Sequence, residues 1–478
     1  MSTAQVERSA GVLVAQACGE ALTLALRRAA RPGTSGRSEI AQHPDVDLTA
    51  WGRGINISAR IAQLTSNGAV LTEQSDHAKM AQRMLRFGSA PDDDTLGPPS
   101  AAKPSARRTS TKARGAAAST TALGTAGLAG LTGLDRQTLP VPDPRGRTAG
   151  SARAIADELP GGVLASDACV LWAEAVRVAV MEARFELAGG LDLVSWENRD
   201  RWARWIEQAT GADPSRFAPG NKPVSALQMA WAAITSTRVP DHDPGNDSYA
   251  CQHLQHALRA AANECVANGS GSGTTVAALA GCLLGARWGL SAIPVDWLRR
   301  LNGLPGLRAR DLVRLGVRTA RAGQPTRKNW PTKSHIAPSL WTPLPAVPLP
   351  SHAELWLGGV GGWGPDIDAV VSLCVLGTKD VPAPGVSPEN HIEIWLVSST
   401  DPDDNPNYDF VVDDAAKAIQ TLLGEGHRVL VHCTRAVTRT PRIATHFLTM
   451  QGVDHRTASQ LVRHTLIEGG YTKKDAAA

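Results

Sequence analysis

The order of apolar and polar positions divides this chain into two regions of different period. From Glu7 to Ala30, ERSAGVLVAQACGEALTLALRRAA repeats apolar residues at three- and four-residue spacing, as a helix with a buried face requires. The same spacing recurs in ISARIAQLTSNGAVLT (57–72), SDHAKMAQRMLRF (75–87), SDACVLWAEAVRVAVMEARFELAGGLDLV (166–194) and CQHLQHALRAAANECVA (251–267). TTVAALAGCLLGARWG (274–289) is dense in small residues, which suits a helix buried on most sides. No strand period occurs up to residue 320, so residues 1–320 are predicted to form an all-α domain. Within it, residues 95–150 are rich in Pro, Gly, Ala, Ser and Thr and read as a flexible insertion or loop. Arg107, Arg108, Lys112 and Arg114 in that insertion read as a solvated basic cluster.

Prolines at 325, 331, 338, 343, 345, 348 and 350 mark a linker over 321–350, because a helix cannot run through them. Beyond it the pattern changes. AELWLGG (353–359), IDAVVSLCVLG (367–377), HIEIWLVSS (391–399) and RVLVHC (428–433) are short β-rich runs. DFVVDDAAKAIQTLLGEG (409–426) and PRIATHFLTMQG (441–452) are helical. Strands alternating with helices predict a small α/β domain with a parallel sheet over 351–470.

Composition narrows the function classes. A net charge of +4 over 478 residues is too small for a nucleic-acid footprint. The seven cysteines are scattered, with no C-x-x-C pair, which argues against a disulfide framework or zinc ribbon and for a reducing, cytoplasmic setting. Gln16 and Glu20 interrupt the first apolar stretch, so it reads as an amphipathic helix and neither a leader nor a membrane span.

The stretch RVLVHCTRAVTRTPRIATHFL (428–448) carries the chemistry. A buried strand, a loop from Cys433 to Thr440 and a helix opened by Pro441 aim backbone N–H groups and a helix N-terminus into one hollow. Such a hollow binds a tetrahedral oxyanion. Arg439 adds a bidentate donor, and the same positive field favours the Cys433 thiolate, a nucleophile for phosphorus.

The spacing His432-Cys433-x5-Arg439-Thr440 resembles the signature of protein tyrosine and dual-specificity phosphatases, and the resemblance covers roughly residues 350–460. It implies Cys433 as nucleophile and Arg439 as phosphate clamp. Thr440 would help the thiolate leave, and His432 would orient the loop. The backbone of Thr434, Arg435, Ala436, Val437 and Thr438 would cradle the phosphate, with no metal or other cofactor. The phosphatases carry glycine where this chain has Ala436, a change the loop accepts if that residue avoids positive φ. They also place an acidic residue after the preceding strand. Asp401, Asp403 and Asp404 are available here, and the spacing favours Asp401.

Residues 7–320 are similar to the ADP-ribosylglycohydrolase family, through ERSAGVLVAQACGEAL, RTAGSARAI (147–155), AWAAITS (230–236) and the segment 274–316. That resemblance implies an all-α fold with two magnesium ions held by acidic motifs. Here Arg53 and Gly54 occupy the early acid positions, and Ser272 and Thr274 the late ones. Glu20 is the acid retained in the first helix. Magnesium needs carboxylate oxygens, so loss of magnesium-dependent hydrolysis is the expectation. Three readings follow: a cysteine-dependent phosphatase on a metal-deficient helical half, a non-catalytic ADP-ribose-binding regulator, or an ADP-ribosyl hydrolase with a relocated metal site. The partners expected are phosphorylated or ADP-ribosylated proteins, or a small ADP-ribose-type ligand.

Overall fold

A computed structural model describes residues 1–30, 50–80, 123–132, 134, 143–158, 161–217, 222–267, 274–303, 306–326, 330, 344–364, 366–399 and 401–471. The first region is built around α1 (Thr3–Ala29), which Ser2 and Gln5 cap reciprocally at its start. Around it lie α2 (Arg53–Thr65), α3 (Pro144–Asp157), α4 (Gly162–Glu182), α5 (Arg199–Ala209), α6 (Pro223–Ser236), α7 (His253–Ala267), α8 (Thr275–Trp288), α9 (Val295–Arg300) and α10 (Ala309–Ala320). By length and composition α1 would suit a membrane span, yet 94% of its most apolar window is buried inside the protein.

Glycines explain how α1 and α8 pack. A Cβ at Gly11 would fall 2.6 Å from the carbonyl oxygen of Gly285, and one at Gly19, Gly281 or Gly285 would strike the backbone of Ala277, Ala15 or Gly11. The two helices therefore meet backbone to backbone, which larger residues at these positions would prevent. Gln16, buried at this crossing, donates to Ser58 Oγ (3.0 Å) and to the carbonyl of Gly124 (2.9 Å).

The second region holds a five-stranded sheet in the order β3–β4–β7–β5–β6, from β3 (Val347–Leu349), β4 (His352–Gly359), β5 (Ala369–Ser372), β6 (His391–Glu393) and β7 (Val429–Cys433). All pairs are parallel except β3 with β4. β7 is central, and all five of its residues are buried. Val429 faces Leu355 on one side and Ala369 on the other, so Cys433 lies at the carboxyl end of the middle strand. That edge of a parallel sheet is where α/β proteins place their ligands. The helices α11 (Tyr408–Gly424), α12 (Arg439–Met450) and α13 (His455–Glu468) complete the layer.

The two regions share one continuous apolar core. Polar contacts join them as well. Asp414 of α11 accepts the first N–H of α9, from Val295, at 2.8 Å. Arg299 binds Glu425 and Asn390, and Asn407 donates to the carbonyl of Trp288 (2.8 Å).

Several expectations need correction. The helical region contains a short antiparallel pair, β1 (Asn302–Gly303) with β2 (Leu307–Arg308). The low-complexity segment does not read as loop to its end: residues 123–129 and α3 are helical, and Leu123, Leu128 and Leu131 are fully buried. Small residues there serve close packing. The basic cluster at Arg107–Arg114 lies outside the described residues. The proline-rich linker ends in β3, an edge strand, the place where a sheet tolerates Pro348.

Candidate functional site

The cysteine loop joins β7 to α12, and the sequence accounts for both ends. Three consecutive apolar residues, Val429-Leu430-Val431, bury β7 between its neighbours, and His432 and Cys433 at its end are buried with them. Pro441 sits in the first turn of α12, where its missing N–H costs nothing. No side chain caps α12 at Thr438. Among the described residues, no backbone carbonyl accepts from the N–H groups of Ala436, Val437 or Thr438. The loop therefore presents the open donors that a bound anion would satisfy.

Arg439 is buried and firmly held. Its Nη1 donates to the carbonyls of Leu373 and Leu396, both at 2.7 Å, and its Nη2 donates to Thr434 Oγ1 at 2.9 Å. Its Nε is buried without any partner. Cys433 is 2% exposed. Burial opposes ionisation of its thiol. The Arg439 charge, the Thr440 hydroxyl and the N–H groups of Thr440 and Arg435 outweigh burial and hold the thiol below its usual value. Cys374, likewise buried nearby, is pushed up instead.

A polar relay behind the loop sets the state of His432. The N–H of Ala383 donates to His391 Nδ1 (2.8 Å), so neutral His391 carries its proton on Nε2. That proton goes to Ser372 Oγ (2.8 Å), whose own hydroxyl then donates to His432 Nε2 (2.6 Å). His432 is left with its proton on Nδ1, 3.4 Å from the carbonyl of Cys433. Burial keeps both rings neutral, taking His391 down to about 2 and His432 to about 4. Trp363 and His432 pack in a T-shaped arrangement, with ring centroids 5.2 Å apart.

Ala436 adopts φ +55°, so the condition for replacing glycine at no cost is not met and the loop carries backbone strain there. Asp401 is exposed and caps a short turn by accepting the N–H of Asp403 (3.0 Å). Asp404, by contrast, lines a cavity together with Thr434 and Arg439. Sequence reasoning set these acids side by side, but it had no signal for which one the turn Pro402–Asp404 rotates toward the loop. It also missed Ser372 and His391, whose strand-end positions become meaningful only when β5, β6 and β7 are adjacent.

In the helical region, Glu20 sits at the N-terminus of α2. Its Oε1 accepts the N–H of Ile55 (2.9 Å), and its Oε2 is buried without a partner. Burial raises its carboxyl to about 8, against the pull of the N–H groups of Ile55, Gly52 and Gly54. Gly54 is the second residue of α2, and Thr274 precedes α8 without capping it. Ser272 and the side chain of Arg53 lie outside the described residues. Among the described residues, no group of three or more His, Cys, Asp or Glu side chains is placed to hold a metal ion. Among the described residues at these positions, Glu20 is the carboxyl and it is engaged with backbone amides; a binuclear magnesium centre calls for several carboxylate oxygens.

No curated protein matches the chain. A solved structure described as an ADP-ribosylglycohydrolase-related protein complex is similar at 18% identity and a TM-score of 0.42, covering 67% of this chain and 99% of that one. Residues 1–328, which run from α1 past α10, match the ADP-ribosylglycohydrolase family, and the chain belongs to that family.

Proposed function

We propose that the chain is a hydrolase of phosphomonoesters acting through Cys433, in a second domain divided from the family's helical domain within residues 321–350. One observation carries this reading: a buried Arg439 Nε with no acceptor, beside a thiol held below its ordinary value. An oxyanion on the loop would accept from Nε, and Nη2 would exchange Thr434 Oγ1 for a second oxygen, giving the bidentate geometry guanidinium favours. The Cys433 sulfur then attacks phosphorus as the ester P–O bond breaks. Asp404, the cavity-lining acid, protonates the leaving oxygen. Water attacks the phosphocysteine, giving its proton back to Asp404, and the Thr440 hydroxyl steadies the departing thiolate.

For the helical domain, the reading is ADP-ribose binding without magnesium-dependent cleavage. Family membership supports the ligand class, and the lone carboxyl of Glu20 argues against the metal chemistry. Turnover of an aryl phosphate by the wild type, absent in Cys433→Ser, is the expected result for the phosphatase. Equal turnover by both proteins rejects it. Calorimetric titration with ADP-ribose, with and without magnesium, tests the helical domain: equal affinity in both is expected, and release of ADP-ribose from a modified protein that a chelator blocks would reject the reading.

A further inference from the structure

The cavity beside the cysteine loop has walls from both regions of the chain. Its volume is about 620 Å³, within the range of pockets that enclose a whole small molecule. Thr434 and Arg439 form one side. Thr3 and Val6 of α1, with Arg321 and Thr326, form another, contributed by the helical region and the start of the linker. A phosphate group on the loop would occupy a minor part of this space.

The first turn of α1 contributes shape and little charge. Ser2 Oγ accepts the N–H of Gln5, and Gln5 Oε1 accepts the N–H of Ser2, so this helix start is already capped. Other lining groups are polar in a specific way. Trp395 is 8% exposed and lines the cavity, as does Arg439 beside Thr434. A cavity of this size, lined by a guanidinium, hydroxyls and a carboxyl, suits a ligand with polar groups beyond a single phosphate. Asp404 and Ser399 also line the cavity and can accept hydroxyl protons, while Val6 and Val375 offer apolar surface. Acceptors, hydroxyl donors and a small apolar face occur together in a sugar phosphate.

Resting on the reading of Cys433 as a phosphate-handling nucleophile, we infer that the substrate is a small sugar phosphate, free or within a nucleotide. It is enclosed between the two regions, with α1 excluding phosphoprotein segments. The helical region then acts as the specificity wall of the cysteine site.

Calorimetry on Cys433→Ser protein tests this with three probes: inorganic phosphate, ribose 5-phosphate and a phosphotyrosyl peptide. Ribose 5-phosphate should bind at least tenfold more tightly than inorganic phosphate, and the peptide should gain nothing over it. Adding Thr3→Trp, or independently Ser399→Trp at an exposed wall position, should erase the tenfold gain and leave inorganic phosphate binding unchanged, which also shows that the fold is intact. A peptide that binds as tightly as ribose 5-phosphate overturns the inference, as does a tenfold gain that survives both substitutions. If inorganic phosphate neither binds nor protects wild-type Cys433 from alkylation, the reading of the cysteine site itself fails, and this inference with it.

Discussion

Replacing Glu20 by glutamine should make the protein less sensitive to alkaline pH. Glu20 is buried at the start of α2, and its carboxyl is raised from 4.5 to about 8 by burial. Above pH 4.5 the unfolded chain has released this proton while the folded chain still holds it. Folding then takes up a proton, so stability falls as pH rises, until the folded carboxyl itself ionises near 8. One pKa unit is worth about 1.4 kcal/mol, so between pH 4.5 and 7.5 the wild type should lose about 4 kcal/mol from this group alone. Glutamine keeps the acceptor for the Ile55 N–H and carries no titrating proton. Glu7 and Asp414, also raised to about 7 by burial, act in the same direction but are common to both proteins and cancel in the comparison. Guanidinium unfolding at the two pH values, followed by the helical signal, should show the variant gaining about 4 kcal/mol on the wild type as pH rises. A difference that stays constant across the range would refute the buried, protonated carboxyl. Magnesium provides a second check. If it stabilised the wild type and not Glu20→Gln, Glu20 would be an ionised ligand, and the argument from a single carboxyl would fall.

Other predictions concern the loop and the helix crossing. Alkylation of Cys433 should have a pH midpoint below that of an ordinary thiol, with phosphate protecting it. Arg439→Ala should move the midpoint upward, because Arg439 is the strongest of the influences that favour the thiolate. An unchanged midpoint in that variant would remove Arg439 from the account. Ala436→Gly should stabilise the protein by up to about 1 kcal/mol in thermal unfolding, since φ +55° strains alanine and not glycine. Gly281→Ala should cost about 1–3 kcal/mol, since its methyl group would strike the Ala15 carbonyl and force α1 and α8 apart. A neutral result there would mean the two helices do not meet backbone to backbone.

Much of the local structure was legible before any coordinates. The runs around Val429–Cys433 and Ala369–Ser372 are short, apolar and bounded by turn residues, and they form strands. The three- and four-residue spacing survives in α7, which buries one face against the bundle, whereas α1 and α4 are buried nearly all round. The strand–loop–helix around Cys433 was legible for the same reason: its parts are contiguous, so local preference and the signature spacing act together. Residues 123–131 were misread because Gly and Ala suit a flexible loop and a tightly packed helix equally well. Only neighbours can decide between them.

The sequence by itself determined which residues the cysteine loop contains and that a helix start follows them, since both depend on interactions a few residues apart. Tertiary structure decided the rest. It turned Asp404 and not Asp401 toward the cavity, put Ala436 into a left-handed conformation, and aligned His391, Ser372 and His432 into one proton-ordered relay. It also brought Thr3 and Val6 to the same cavity as Arg439, more than 400 residues later in the chain. Burial and hydrogen-bond partnership belong to the packed state, and neither the proton on Glu20 nor the wall above the loop exists until distant segments exclude water together.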